Sequence, residues 1–249
     1  MRPTLLVTGA GGMIGRDLIP RLQADYPTRA CDRAPVEGLE AEDFRIADLG
    51  DLAALRQAAR GCGAIIHLGA ESWENDFERV MVPSNIVGPY NLLEAARMEG
   101  VRRVLFASTH HTVGCYHPNE NPLPETVELR PDTFYAATKL WGEALCRLYR
   151  EKHGIAFVCA RIGFFLTEKR IREGKNEAKA CLGLTPADFH RFVLRFLEAE
   201  NLGFAILNCA SRCAKPWLDL AAAARRIGYT PSDDVDRFFE LEWRRLGLA

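Results

Sequence analysis

The sequence predicts an α/β protein, a doubly wound parallel sheet completed by a small C-terminal cap. Short β-rich apolar runs alternate with helical spacings, a glycine-rich turn joins the first run to the first helix, and the alternation weakens after Ile162. Runs at 4–8, 28–32, 43–46, 64–68, 103–107 and 156–162 read as strands. Between them Ile14, Leu18 and Leu22 fall at helical spacing, as do Leu52, Leu55 and Ala59, and then Ile86, Leu92, Leu93 and Ala96. Parallel neighbours need such crossovers, and the crevice of a doubly wound sheet lies beyond the carboxyl ends of its strands. Functional residues are therefore expected just after each strand.

Residues 1–162 form the expected nucleotide-binding core and 163–249 the cap. In the cap, 167–179 reads as a charged loop, 186–197 as a helix, 204–207 as a strand and 217–227 as a helix. No Pro/Gly/Ser linker, internal repeat or low-complexity tract divides the two.

The chain of 249 residues carries 32 Lys and Arg against 33 Asp and Glu, a formal charge of -1. That balance argues against a surface organised for nucleic-acid phosphates or an acidic membrane, and favours a small-molecule partner. No apolar stretch is long enough to span a bilayer, and the first residues lack the pattern of a signal peptide. Eight cysteines are scattered singly, so reduced thiols in the cytoplasm are expected.

The first strand runs into Gly9-Ala10-Gly11-Gly12-Met13-Ile14-Gly15. Glycine at 9, 12 and 15 permits a tight turn, close backbone approach to a pyrophosphate and close helix–strand contact, while the helix start offers N–H donors. Asp32 ends the second strand, where a carboxylate can accept from a ribose diol and repel a 2′-phosphate. NAD is thereby favoured over NADP, with Arg33 the competing cue. Asp48-Leu49 follows the third strand, where the carboxylate either reaches an adenine amino group or serves as a turn or helix cap.

Tyr135-Ala136-Ala137-Thr138-Lys139 opens a long helix. Residues at i and i+4 share a face, so the Lys139 ammonium can lie near the Tyr135 phenol, favour its ionised form and make it a general base. Ser108, Thr109, His110 and His111 follow the fifth strand, and Thr109 can bond the reacting oxygen. The histidines with Cys115 and His117 invite a metal reading, but adjacent strand residues face opposite ways and no ligand frame such as HExxH or CxxC is present, so no metal is expected.

Taken as a set, the glycine turn, Asp32, Asp48, Leu68-Gly69-Ala70, Asn85, the Ser/Thr pair and the Tyr/Lys pair resemble the extended short-chain dehydrogenases/reductases of the NAD-dependent epimerase/dehydratase family, over essentially 1–162. Within it, 67–72, 85–92, 106–114, 130–132 and 161–163 are similar to the uronate-oxidising branch. The resemblance implies a Rossmann fold and oxidation of a sugar alcohol, most simply the C1 hydroxyl of a uronic acid, to an aldarolactone. It implies Tyr135, Lys139 and Thr109 as catalytic, and Ser72, His110, His111, Phe164 and Arg172 about the substrate. Asn85 and the backbone of Ile162 join the glycine turn, Leu68, Gly69 and Ala70 in holding NAD, and a homo-oligomer is implied as well. The chain departs from that pattern where Thr109 and His110 replace Ser and Asn, where Phe164 replaces a substrate-binding Ser, and in 167–179, where Arg170 and Arg172 compete as carboxylate ligands. Alternatives are a nucleotide-sugar epimerase or dehydratase that recycles NAD, oxidation of a related aldose or acid sugar, and a non-catalytic NAD(H) sensor.

Overall fold

The computed structural model describes the chain except Met1, Glu42, residues 118–121, Lys175 and Ala249, and except the side chains of Glu177 and Ala178. Seven strands form one sheet: β1 (Thr4–Thr8), β2 (Thr28–Asp32), β3 (Asp43–Ile46), β4 (Cys62–His67), β5 (Arg103–Thr109), β6 (Ala156–Ile162) and, after a break, β9 (Phe204–Cys209). Their order is β3-β2-β1-β4-β5-β6-β9 and every pairing is parallel. The order reverses at β1, which lies between β2 and β4, so the chain leaves β1 and β4 on diverging paths. Central strands are buried on both faces, which is why β1 and β5 are apolar runs rather than alternating ones.

Helices cover both faces. On one, α1 (Met13–Gln23), α7 (Pro186–Glu198) and α8 (Ala221–Ile227) pack Leu18, Ile19, Phe189, Phe192 and Phe196 against Leu5, Val7, Leu105 and Val158. On the other, α2 (Leu52–Ala59), α3 (Gly88–Met98) and α4 (Phe134–His153) pack Leu55, Leu92, Leu93, Leu145 and Tyr149 against Leu6, Ile65 and Phe157. Each fully buried Phe of α7 contributes about 1.5–3 kcal/mol relative to exposure. Helix α4 starts where the Thr133 hydroxyl accepts the Ala136 N–H, and it stops at Gly154 in the left-handed region (φ 72°).

The strand expected at 204–207 is β9, which joins the main sheet beside β6. Segment 167–179 is not wholly loop, since α5 (Glu168–Arg172) falls within it and the first half of α6 (Glu177–Leu182) ends it, each helix opened by a side-chain cap. Lys175 within that segment lies outside the described residues. A two-stranded ribbon of β7 (Phe164–Phe165) and β8 (Gly183–Leu184) ties α5 and α6 over the ends of the main strands. The helix expected at 217–227 is shorter: Trp217 lies in a bend, Leu218 bridges Leu123, and only Ala221–Ile227 is helical. A final helix, α9 (Val235–Arg245), buries Val235 and Phe239 against Leu166 and Ile171.

Ahead of α3 stands a π-helical stretch, Phe77–Val87, containing Pro83 and capped by Asp76. Proline lacks the N–H an α-helix needs there, and the wider turn accommodates it. That spacing conceals the element from a search for 3.6-residue periodicity. No helix among the described residues is long and apolar enough to cross a membrane.

Candidate active site

Two connected chambers open beyond the strand ends, of about 540 and about 610 Å³, and both are lined by Gly9, Gly12, Leu68 and Ala70. Their floor is the turn after β1. Gly9 sits at φ 73°, and a Cβ there would come within 2.6 Å of the Gly69 backbone nitrogen. A Cβ on Gly15 would run into the Gly9 carbonyl, so the turn and α1 approach the sheet only because both positions are glycine.

The second chamber carries Asp32, Arg33, Asp48, Leu49 and Gly69. One Asp32 oxygen accepts the Gly11 N–H and the other the Arg33 N–H, both at 2.7 Å, which fixes the carboxylate against the glycine turn. Asp48 accepts the Gly50 N–H at 2.7 Å and so braces its own turn, while the cap of α2 is Asp51. The Arg16 guanidinium donates to the carbonyls of Gly11 and Glu37, stapling the turn to the loop after β2. A glycine floor, a helix start and a fixed acceptor at the end of β2 are the features a dinucleotide requires, so these residues fit NAD.

The first chamber brings together Met13, Ile14, Gly15, Ser72, Thr109, His110, His111, Tyr135, Lys139, Ile162 and Phe164. The Lys139 ammonium lies 5.6 Å from the centroid of the Tyr135 ring and 5.0 Å from that of Phe106. Burial governs both partners: it lowers the Lys139 pKa to about 8 and pushes the Tyr135 phenol above its ordinary value. The depression of the phenol expected from its neighbour is thus outweighed by desolvation.

Thr109 ends β5. Its Oγ1 accepts the His111 N–H at 3.2 Å, leaving the hydroxyl proton free to be donated into the chamber. His110 places Nδ1 3.0 Å from the Ile162 carbonyl. A carbonyl only accepts, so Nδ1 carries the proton and Nε2 is left as an acceptor. Burial, then His111, lowers the His110 pKa to about 4 and keeps the ring neutral. His111 faces it at 4.2 Å between centroids and bonds both oxygens of Asp132 at 2.9 and 3.0 Å. No group of three or more His, Cys, Asp or Glu side chains converges among the described residues.

Two expected residues stand elsewhere. Asn85 is buried behind the chamber, where it bonds the Glu71 backbone and the Thr138 hydroxyl. Arg172 is exposed and paired with Glu168, outside the lining of either chamber. Its competitor Arg170 reaches the first chamber instead, half-buried, donating to the Phe165 carbonyl at 2.9 Å and stacked 4.1 Å over the Phe164 ring. The reason is helical phase, since positions two apart on α5 point in nearly opposite directions. Lys179 pins this rim by donating to the carbonyls of Arg170 and Gly174 at 2.7 Å. Trp73, Lys169 and Glu173 also line the chamber and carry no motif by which the sequence could have marked them.

A parallel sheet with a dinucleotide cradle at its switch point and a Tyr/Lys pair on the neighbouring helix defines a Rossmann-like α/β protein. The chain belongs to the NAD dependent epimerase/dehydratase family, whose sequence profile matches residues 5–178. It is 34% identical over 237 residues to a uronate dehydrogenase of Pseudomonas putida, covering 94% of this chain and 85% of that one. It is 31% identical to an L-arabinose 1-dehydrogenase (NAD(P)(+)) of Haloferax volcanii, covering 92% and 96%. A solved structure of a variant uronate dehydrogenase from Agrobacterium tumefaciens, complexed with NAD, superposes with a TM-score of 0.87 at 32% identity, covering 98% of this chain and 90% of that one.

Proposed function

We propose that this protein is an NAD-dependent oxidoreductase that oxidises the C1 hydroxyl of a uronic acid to the corresponding lactone. The observation that carries the reading is the meeting of Tyr135, Lys139 and Thr109 in one chamber contiguous with the glycine cradle. The uronate dehydrogenases among its relatives, at 32–34% identity over most of the chain, support the substrate class.

NAD, when bound, supplies the hydride acceptor; the remaining work belongs to this chain. Tyr135, as phenolate, takes the proton of the sugar hydroxyl as the C1–H bond breaks with its electron pair and the C=O bond forms. Lys139 holds positive charge beside that phenolate, and the free hydroxyl proton of Thr109 is donated to the reacting oxygen. His110 offers an acceptor to a sugar hydroxyl, with Ser72 and His111 as further polar contacts. Arg170 takes the place foreseen for Arg172 as partner of the substrate carboxylate.

Phe164 favours a second reading, oxidation of an uncharged aldose. Its ring narrows the wall and its face is already occupied by Arg170. NADH absorbance with a panel of uronic acids, aldoses and nucleotide sugars separates the readings. Uronate turnover supports the first, aldose turnover the second, and the absence of net NADH with all of them overturns both.

The protein works as a homo-oligomer in this reading, joined through α3 and α4, which expose Tyr90, Met98, Trp141 and Leu148. Sedimentation of wild type against Trp141→Glu tests it, a monomeric wild type being the adverse result. A cytoplasmic setting suits eight cysteines scattered singly along the chain, six of them buried.

A further inference from the structure

Lys139 and Glu143 lie one turn apart on α4, both buried, and i,i+4 residues of opposite charge ordinarily pair. Here they do not. Both carboxylate oxygens of Glu143 are engaged by Arg161, Oε1 by Nε at 3.0 Å and Oε2 by Nη2 at 2.9 Å, and Oε1 also accepts the Ser108 hydroxyl at 2.6 Å. Arg161 is 2% exposed, and its Nη1 donates to the Glu125 carbonyl at 3.1 Å. Ser108 and Arg161 are register partners on β5 and β6, one step below the strand ends that carry Thr109 and Ile162. Lys139, by contrast, forms no ion pair among the described residues: it lies against the ring faces of Phe106 and Tyr135, and the other titratable groups that act on it are buried His67 and Cys146, neither of them a carboxylate.

We infer that Arg161 is a positioning residue: by holding Glu143 in a bidentate pair, it keeps that carboxylate off Lys139 and leaves the ammonium beside Tyr135 without a fixed counter-ion. A buried pair of this kind adds little stability over an apolar replacement, so its presence calls for another role. An ammonium neutralised by Glu143 would hold its proton more tightly and attract the phenolate less. The inference rests on the assignment of Tyr135 and Lys139 to the reacting site. Ser108 completes the arrangement by occupying a lone pair of Oε1 from the chamber side.

The test follows the Lys139 ammonium itself. Protein carrying 13C-labelled lysine is titrated by NMR, with the Lys139 resonance assigned by its loss in Lys139→Arg. The wild-type midpoint is expected near pH 8. In Arg161→Met the released Glu143 should raise it by about one pH unit, a tenfold tighter hold on the proton. In the double variant Arg161→Met/Glu143→Gln the midpoint should return toward wild type, and the break in the pH profile of NADH formation should move with it. A merely structural Arg161 would change neither in this pattern. An unaltered midpoint in Arg161→Met, or one that the second substitution fails to restore, overturns the inference. Should Arg161→Met not fold, Arg161→Lys, which keeps charge but not the bidentate grip, should show a smaller rise that Glu143→Gln again reverses; no rise overturns it as well. If wild type oxidises no sugar, the proposed reaction fails, while the NMR titration still decides whether Arg161 keeps Glu143 from Lys139.

Discussion

Asn85 holds the backbone of Glu71 from both sides, its Oδ1 taking the Glu71 N–H at 2.8 Å and its Nδ2 giving to the Glu71 carbonyl at 2.9 Å. The same Nδ2 reaches the Thr138 hydroxyl at 3.1 Å, between Tyr135 and Lys139 on α4. One side chain on the π-helical stretch thus joins the loop that lines the cofactor chamber to the helix that carries the acid–base pair. Asn85→Ala should cost about 1–3 kcal/mol in urea unfolding, because the Glu71 groups lose their partners. It should also lower kcat/KM by about tenfold through misplacement of Tyr135. Wild-type turnover in a destabilised but folded Asn85→Ala protein would confine the residue to stability alone.

Turnover should show a break near pH 8. Below it Lys139 is protonated, and the phenolate fraction of Tyr135, whose pKa burial has raised, grows tenfold with each pH unit. Above it the loss of ammonium offsets that gain, so kcat/KM levels off. Lys139→Met should abolish the plateau and leave a lower rate that goes on rising. Tyr135→Phe should retain NAD affinity, read by protein fluorescence, and lose about 100- to 10,000-fold in turnover.

The parts of this site that lie on regular elements were legible because periodicity and chemistry coincide there. The glycine turn follows an apolar strand, and Tyr135 and Lys139 share a helix face, so spacing alone brings them together. Asn85 was legible as a residue but not as a contact, since its π-helical setting breaks the periodicity on which a placement could rest. Arg161 was legible only as part of the resembling stretch 161–163 and not as a partner of Glu143, because it sits in an apolar strand and that partner is 18 residues away on α4. Arg170 and Arg172 could not be separated without the start of α5, which depends on a Thr167 cap in a segment that reads as charged loop.

That separation is open to measurement. Arg170 reaches the chamber and Arg172 is spent on Glu168, so Arg170→Met should raise the KM for a uronate by about 10- to 100-fold, the worth of a charge-assisted hydrogen bond. The KM for a neutral aldose should change little. Arg172→Met should alter neither, and a larger effect there than at Arg170 would place the carboxylate elsewhere.

Two buried histidines should make the fold acid-sensitive. Burial lowers His67 from its ordinary 6.5 to about 3, and lowers His110 to about 4. Each therefore stays neutral in the folded chain over a range in which the unfolded chain protonates it. The sign follows: their contribution is complete above pH 6.5, the unfolded value, and is lost as pH falls toward the folded values. Between pH 4.5 and 6 each histidine should add up to about 1.4 kcal/mol of lost stability per pH unit, because unfolding takes up close to one proton at each. Urea unfolding of His110→Asn across that range should give a slope shallower by this amount. The amide can still donate to the Ile162 carbonyl, so stability at pH 7.5 should change far less than the slope does. An unchanged slope would mean that His110 is already charged in the folded protein. Its Nε2 would then be a donor, and the acceptor assigned to it in the substrate chamber would be lost.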